Sequence, residues 1–122
     1  MREIDSKDWQ DFCQRVSEQL QGAIVTVEAI EPDGLKIEKV GNSTLESIAY
    51  KAQSPCNDVI SLRLRGERDI EYDIVDPIHV LLEETSHAGD FNPVRIDGEN
   101  GCTFLTFHPA IHERMLEGLK VR

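Results

Sequence analysis

The apolar residues near the start of the chain recur at helical spacing. They are three or four positions apart and so share one side of an α-helix, predicted over about residues 6 to 20: Trp9, Phe12, Cys13, Val16 and Leu20. Asp5 is a suitable N-cap, and Gly22 stands where a C-terminal cap belongs. With Asp5 as the cap, Ile4 and Trp9 occupy the two positions of a hydrophobic staple.

After this helix, short runs rich in β-branched residues alternate with turn signals. The predicted strands cover residues 23–30, 35–40, 44–52, 58–65, 69–75, 78–84, 93–96 and 103–107. The main breaks between them are EPDG (31–34), GNS (41–43), QSPCN (53–57), TSHAGDFN (85–92) and DGENG (97–101). Because no helix-sized segment separates consecutive strands, parallel crossovers are excluded and the sheet is expected to be antiparallel.

The register of one hairpin follows from its side chains. A three-residue loop from Gly66 to Arg68 gives one apolar face and one face of matched charges, whereas a two-residue loop loses both patterns. The apolar pairs are Leu64 with Ile70, Leu62 with Tyr72, and Ile60 with Ile74. The polar pairs are Arg65 with Asp69, Arg63 with Glu71, and Ser61 with Asp73.

The last hairpin admits two registers. An Asn100-Gly101 turn pairs Ile96 with Leu105 and Val94 with Phe107, while a four-residue loop from Gly98 to Gly101 shifts these partners. Both registers turn the same four side chains inward: Val94, Ile96, Leu105 and Phe107.

These patterns predict an α+β fold in a single domain, residues 1–122. The N-terminal helix should cover a mainly antiparallel twisted sheet or open barrel of six to eight strands. Pro109 suits the first position of a short C-terminal helix, over about residues 110 to 118 and ending at Gly118.

The overall charge narrows the choice of partners. With 23 acidic against 13 basic residues the formal net charge is −10, which repels phosphate backbones and anionic lipids, so we expect neither nucleic acid nor membrane as a partner. The N-terminal residues lack the apolar stretch of a secretory signal, which favours a cytoplasmic location. Cys13, Cys56 and Cys102 are far apart and form no C-x-x-C pair, so we expect plain reduced thiols.

The stretch FHPAIHERML (107–116) sets His108 and His112 four residues apart, as some metal sites do. Pro109, however, would make His108 the N-cap, outside the helix and away from the face of His112. We therefore favour a helix start over a metal site. His79 on a strand and His87 in a loop are the other candidate ligands, and neither has an evident partner.

Other charged groups also have structural interpretations. Arg63 and Arg65 are candidates to bind an anion, but the predicted register gives each an acidic cross-strand partner. Asp69 and Asp73 point to one face of a strand about 13 Å apart, too far to share a cation.

The order of several segments resembles a family of small bacterial proteins catalogued only as a domain of unknown function. The segments are the opening Glu3-Ile4 with Trp9 and Phe12, then VTVEAI, DPIHVLLEET, VRIDGENGCTFLTF and ERMLEGL. The resemblance implies a helix packed on an antiparallel sheet and a stand-alone cytosolic domain. It supplies no activity, cofactor or catalytic residue.

Two function classes remain from the sequence. The first is a non-enzymatic binding or interaction module without a cofactor, which binds an unknown protein partner or self-associates through an exposed strand edge. The second is a metal-assisted hydrolase or small-ligand enzyme using His79, His87, His108, His112 and nearby acids. We expect the first, because the scaffold accounts for nearly the whole pattern.

Overall fold

The computed structural model describes residues 1–52, 58–99 and 101–122 of the chain. The predicted break at 53–57, with Cys56, and the turn residue Asn100 lie outside them. The elements, in chain order, are β1 (Arg2–Ile4), a 3-10 helix (Ser6–Asp8), α1 (Trp9–Gln19), β2 (Ile24–Ile30), β3 (Lys36–Lys51), β4 (Val59–Arg65), β5 (Ile70–Val75), β6 (His79–Glu84), β7 (Asp90–Gly98), β8 (Gly101–His108), β9 (Ile111–His112) and a 3-10 helix (Glu113–Leu116).

The predicted N-terminal helix is confirmed, with a 3-10 turn as its first three residues. Asp5 caps that turn, since its carboxylate accepts a hydrogen bond from the amide of Lys7 at 3.1 Å. The staple pair is also in contact, because the indole Nε1 of Trp9 donates to the carbonyl of Ile4 at 3.1 Å. Both side chains are buried, so the helix start is attached to the adjoining strand.

All of the paired strands are antiparallel, as expected. Among the described residues the order is β1-β6-β7-β8-β2-β3-β4-β5, with the two-residue β9 beside β7. Helix α1 covers one face: its apolar side enters the core, and Ser17 both accepts from the amide of Ile48 at 2.7 Å and donates to its carbonyl at 2.6 Å. Burial of each large aliphatic side chain in this core contributes about 1.5–3 kcal/mol to stability.

The sheet curls without closing. Strands β5 and β7 are far apart in the strand order, yet the amide of Glu99 donates to the carbonyl of Val75 at 3.4 Å. A Cβ atom on Gly98 would stand 2.9 Å from that carbonyl oxygen, so the close approach requires glycine at this position. The two ends of the order, β1 and β5, do not pair with each other.

The register of the β4–β5 hairpin is confirmed for five of the six predicted pairs. The sixth, Arg65 with Asp69, is wrong, because the ladder ends one step earlier. The guanidinium of Arg65 instead contacts Glu46 of β3 at 3.2 Å and lowers the pKa of that carboxyl group. The neighbouring strand supplies this partner, which the hairpin pattern alone could not reveal.

The last hairpin takes the second of the two registers. Val94 lies opposite Leu105, and Ile96 lies opposite Thr103, so the pairing from an Asn100-Gly101 turn is wrong. All four side chains predicted to point inward are buried, with at most 1% exposure.

The GNS segment at 41–43 does not end a strand. One long strand, β3, runs through it, with its first half beside β2 and its second half beside β4. The ladder to β2 shifts register nearby, and the hydroxyl of Thr26 donates to the side-chain oxygen of Asn42 at 2.7 Å. Because bulges accept turn-forming residues, glycine and asparagine here do not break the strand.

The C-terminal helix is shorter than predicted and begins later. His108 is the last residue of β8 rather than an N-cap, and a cis peptide bond joins it to Pro109. Ile111 then pairs with Phe91 of β7, so its backbone is bonded as a strand. The cap of the short 3-10 helix is His112, whose Nδ1 accepts from the amide of Arg114 at 3.1 Å.

Candidate functional site

The outer edge of β5 presents unpaired backbone groups. The amide of Asp76 donates to the carbonyl of Asp58 at 2.8 Å, which continues the β4–β5 ladder by one step. In an antiparallel pair, hydrogen-bonded positions alternate with positions whose backbone groups point away from the partner. The even-numbered residues of β5 therefore bond to β4. The backbone groups of Glu71, Asp73 and Val75 point outward.

The other end of the sheet is covered. Beside β1 lie the last residues of the chain, with a β-bridge between Ile4 and Val121. Glu3 and Arg122 exchange two backbone hydrogen bonds of 2.8 Å, and the amide of Asp5 donates to the carbonyl of Lys120 at 2.9 Å. Thus β1 has backbone partners on both sides, whereas β5 pairs with β4 and with no other strand of the described ranges.

A cleft adjoins the open edge, where β5 curls towards the β7–β8 turn. It has a volume of about 200 Å³, and the hydrogen bond between Glu99 and Val75 lies at the same end of β5. Its walls come from three places in the fold: β5 (Tyr72, Asp73, Ile74, Val75), the β2–β3 hairpin (Ala29, Glu31, Lys39) and the β7–β8 hairpin (Gly98, Gly101, Cys102, Thr103). Gaps of this kind, at the mouths of curled sheets, are common ligand sites.

The cation in this cleft already has a partner. Lys39 forms an ion pair with Glu31, and the hydrogen bond from its ammonium group raises the pKa of Lys39. Tyr72 is partly buried against the core, and its side chain lies beside this pair in the lining. Because the two charges compensate each other, Lys39 offers no free cation to a ligand in this cleft.

Two of the three outward positions of β5, Glu71 and Asp73, carry exposed acidic side chains. Glu71 accepts from the hydroxyl of Ser61 at 3.1 Å and lies 3.9 Å from the ammonium of Lys51. Asp73 forms no ion pair with any described residue. The six residues outside the described ranges include no lysine, arginine or histidine, so they cannot supply one. The open edge is therefore acidic.

Comparison with known proteins identifies the family to which the chain belongs. The sequence model of a family of unknown function, DUF5335, matches residues 1–111. The chain belongs to this family. No curated protein and no solved structure shows significant similarity to it. No helix in the described part of this DUF5335 protein is long and apolar enough to cross a bilayer.

A second polar group of the DUF5335 chain lies on the sheet face away from the core. The Nδ1 atom of His79 is 2.6 Å from a carboxylate oxygen of Glu3, which gives this histidine a partner that the sequence did not reveal. His79 lies opposite Asp97 in the β6–β7 ladder, and Arg95 donates to Asp97 at 2.7 Å. Because β1 lies far from β6 in the chain, only the strand order brings Glu3 to His79.

Cys102 of β8 lies opposite Asp97 in the β7–β8 ladder, but it is not an activated thiol. Its Sγ atom lies 3.3 Å from a guanidinium nitrogen of Arg95. The neighbouring carboxylate of Asp97, followed by burial, raises the pKa of Cys102. Burial alone would raise the pKa of Asp97, but the guanidinium of Arg95 and the nearby thiol outweigh it and lower the value. A nucleophilic cysteine requires the opposite shift, because the thiolate is the reactive form.

The positions of His79 and Cys102 also give no support to a catalytic pair of base and nucleophile. They lie on β6 and β8, with Asp97 of β7 between them in the ladders. Two strand spacings separate their backbones by about 10 Å. Among the described residues, no hydrogen bond joins the imidazole of His79 to the thiol of Cys102; the imidazole contacts Glu3, and the thiol contacts Arg95.

The other candidate histidines are spread over one end of the molecule. His87 lies in the exposed loop before β7, where its carbonyl accepts from the amide of Asp90 at 3.1 Å. His108 is exposed at the end of β8, and the ring of His112 caps the 3-10 helix. Across residues 1–52, 58–99 and 101–122, no three His, Cys, Asp or Glu side chains are arranged to hold a metal ion.

The sulfur groups complete the inventory of reactive side chains. Cys13 is buried in the helix–sheet core, and burial raises its pKa to about 12, so it is a protonated, inaccessible thiol. Cys102 is likewise unpaired with another cysteine, while Cys56 lies outside the described residues. The expectation of reduced thiols holds for the two that the structure describes.

Proposed function

We propose that this protein is a non-enzymatic interaction module that binds an extended segment of a partner protein along the outer edge of β5. The observation that carries this proposal is the outward direction of the backbone groups of Glu71 and Asp73 on a six-residue strand. A peptide in extended conformation satisfies such groups by adding a strand to the sheet, which is a common mode of peptide recognition.

The different treatment of the two edges supports the proposal. The chain uses its last residues to pair the outer side of the three-residue β1, although β5 is twice as long. Unpaired strand edges promote unwanted association, so proteins usually shorten, cover or charge them. None of the described residues covers the longer edge, and two of its three outward positions are acidic.

The net charge of the chain and the state of its thiols are also consistent with a protein as the partner. A net charge of −10 opposes contact with nucleic acid and with anionic membranes, and free thiols such as those of Cys13 and Cys102 suit a reducing compartment. We therefore include a cytoplasmic location in the proposal.

The proposal is tested with two variants at position 73, which separate the contribution of the backbone amide to binding from that of the side chain. Peptides selected from a random library on the purified protein are measured against Asp73→Pro and Asp73→Thr. Both variants remove the carboxylate, but only proline removes the outward amide, and an outward amide on an edge strand is where proline is tolerated. We expect proline to weaken binding at least about tenfold more than threonine does, because one peptide carbonyl loses its donor.

Equal binding of the selected peptides by the proline and threonine variants would contradict docking along β5. Thermal melting of both variants provides the control for folding. Amide chemical shifts recorded during titration with peptide should change first at Glu71 and Asp73, and changes confined to another surface would place the site elsewhere.

A further inference from the structure

Strand addition at β5 fixes which partner side chains meet which side chains of this protein. This reasoning rests on the proposed function. Directly opposite residues of an antiparallel pair have Cβ atoms about 4.5–5.5 Å apart and point to the same face. The partner residues hydrogen-bonded to Glu71 and Asp73 therefore hold their side chains beside these two acids, on the outer face of the sheet.

The acidic positions oppose a second copy of this chain as the occupant. Two β5 strands that pair antiparallel through Glu71 and Asp73 place Glu71 opposite Asp73, or either acid opposite its own copy. Each of these registers sets at least one acidic side chain directly against another, which is destabilising. A register with Asp73 opposite Val75 avoids this, but the carbonyl of Val75 already accepts from the amide of Glu99. The net charge of −10 on each copy adds to this repulsion.

The same positions favour a basic partner. Asp73 has no ion pair among the described residues. Glu71 has one long ion pair, to Lys51 at 3.9 Å, while Arg63 lies opposite it in the β4–β5 ladder. A lysine or arginine opposite each acid would form a cross-strand pair of opposite charge, and the two basic residues would lie two positions apart in the partner.

The partner residue between the two basic ones points to the other face, towards the core side of the sheet. It would lie beside Tyr72, at the cleft of about 200 Å³. The adjacent lining includes Ala29 and Ile74, while the charges of Lys39 and Glu31 are already paired. An apolar side chain suits this position, since a third charge would lose water without gaining a free partner.

We infer that the occupant of the β5 edge is an extended segment with the pattern basic–apolar–basic, in which the basic side chains pair with Glu71 and Asp73 and the apolar one enters the adjacent cleft. The backbone edge supplies the affinity common to extended peptides. The acids and the cleft supply the selectivity, which distinguishes this inference from edge docking alone.

The inference is tested with three synthetic heptapeptides that differ only at their centre: Lys-Val-Lys, Glu-Val-Glu and Lys-Asp-Lys, each flanked by threonines. We expect Lys-Val-Lys to bind the wild-type protein at least about tenfold more tightly than Glu-Val-Glu, from two favourable pairs against two repulsive ones. Lys-Asp-Lys should bind more weakly than Lys-Val-Lys, and raising ionic strength from about 0.01 to about 0.15 M should reduce the preference for lysine.

Charge reversal provides the decisive variant. In the double variant Glu71→Lys with Asp73→Lys, the order should invert in favour of Glu-Val-Glu. If that variant does not fold, Glu71→Thr with Asp73→Thr should bind the two charged peptides within about threefold of each other. Formation of a wild-type dimer through β5 at high micromolar concentration would overturn the inference.

The remaining outcomes separate this inference from the proposed function. Equal binding of the lysine and glutamate peptides, abolished in both cases by Asp73→Pro, would overturn the basic–apolar–basic pattern and leave edge docking standing. Binding of Lys-Val-Lys that survives Asp73→Pro would overturn edge docking itself. Absence of measurable binding by Lys-Val-Lys would overturn the inference.

Discussion

Strands β1 and β5 form the two ends of one sheet, but their outer backbone groups differ. The outer side of β1 pairs with residues 120–122, whereas the amides of Glu71 and Asp73 on β5 point away from the sheet. The side chains differ in the same way: Ile4 on β1 is 1% exposed, and Ile70 on β5 is 36% exposed. One end of the sheet is thus built into the core, while the other remains available to a partner.

Covering β1 contributes hydrogen bonds and burial to stability. Leaving β5 open gives up those contributions, and acidic side chains at outward positions hinder pairing between copies. We propose that the same acids select the partner, so that protection against self-association and recognition depend on the same residues.

The largest expected effect comes from shortening the isoleucine at each end. Ile4→Ala should lower the free energy of unfolding by about 3 kcal/mol, because it leaves a cavity in the core. Ile70→Ala should lower it by less than about 1 kcal/mol, since its side chain is already partly in water. Urea denaturation measures both, and equal losses would contradict the assignment of one buried and one open end.

Deletion of residues 120–122 should make the two ends alike. The variant loses three backbone hydrogen bonds, two to Glu3 of β1 and one to the adjoining Asp5, at a cost of about 2 kcal/mol. The opened edge carries acids at its outward positions, Glu3 and Asp5, as β5 does at Glu71 and Asp73, so the variant should remain monomeric. Analytical ultracentrifugation tests the second result, and a truncated protein that dimerises would show that acids at outward positions do not prevent pairing.

Proline at an outward position should also distinguish the two ends of the sheet, with a smaller difference in the free energy of unfolding. Glu3→Pro removes the amide that donates to Arg122 and should cost about 1–2 kcal/mol. Asp73→Pro removes an amide without a partner in the described structure and should cost less than about 0.5 kcal/mol. Chemical denaturation of this matched pair is the measurement, and a larger loss at Asp73 would reveal a backbone bond on the open edge.

The smallest expected effect concerns Asp97 of β7, two strands from the covered end. Its pKa lies below the ordinary value of 3.8, so its ionised form stabilises the folded state. That contribution is fully present above pH 3.8 and is lost as the pH falls through the lower folded-state value. Asp97→Asn should therefore flatten stability measured between pH 5 and pH 2, and an unchanged pH profile would show that Arg95 does not hold this carboxylate.

Part of this architecture could be predicted from local sequence. The β4–β5 register followed from alternating apolar residues and opposite charges, because a slip by one residue exposes the apolar face. The same alternation identified the inward residues of the last hairpin. It could not choose between the two registers, since both bury the same side chains.

The errors have a common physical cause. The Gly41-Asn42 pair looks like a turn, but pairing with strands on both sides holds the chain extended there. Ile111 and Met115 have helical spacing, yet the backbone of Ile111 bonds to β7. Long-range pairing outweighs local preference in both segments, and a single sequence does not show which strands will be neighbours.

The candidate site was harder to predict for the same reason. Acidic residues at 71 and 73 were visible as an exposed face of a hairpin, but nothing local says that β5 ends the sheet. The closure of β1 by Val121 joins opposite ends of the chain, and the strand of three residues is too short to carry a pattern. Strand order, rather than residue type, separates a structural acid from one at a binding edge.

Residue-by-residue amide hydrogen exchange is the most direct test of the difference between the two ends. In the monomeric protein, the amides of Tyr72 and Ile74 should exchange slowly, because they bond to β4, and those of Glu71 and Asp73 should exchange rapidly. On β1, the outward amides of Glu3 and Asp5 should be protected by the C-terminal residues. Strong protection of Glu71 and Asp73, equal to that of Tyr72 and Ile74, would contradict an open edge at β5.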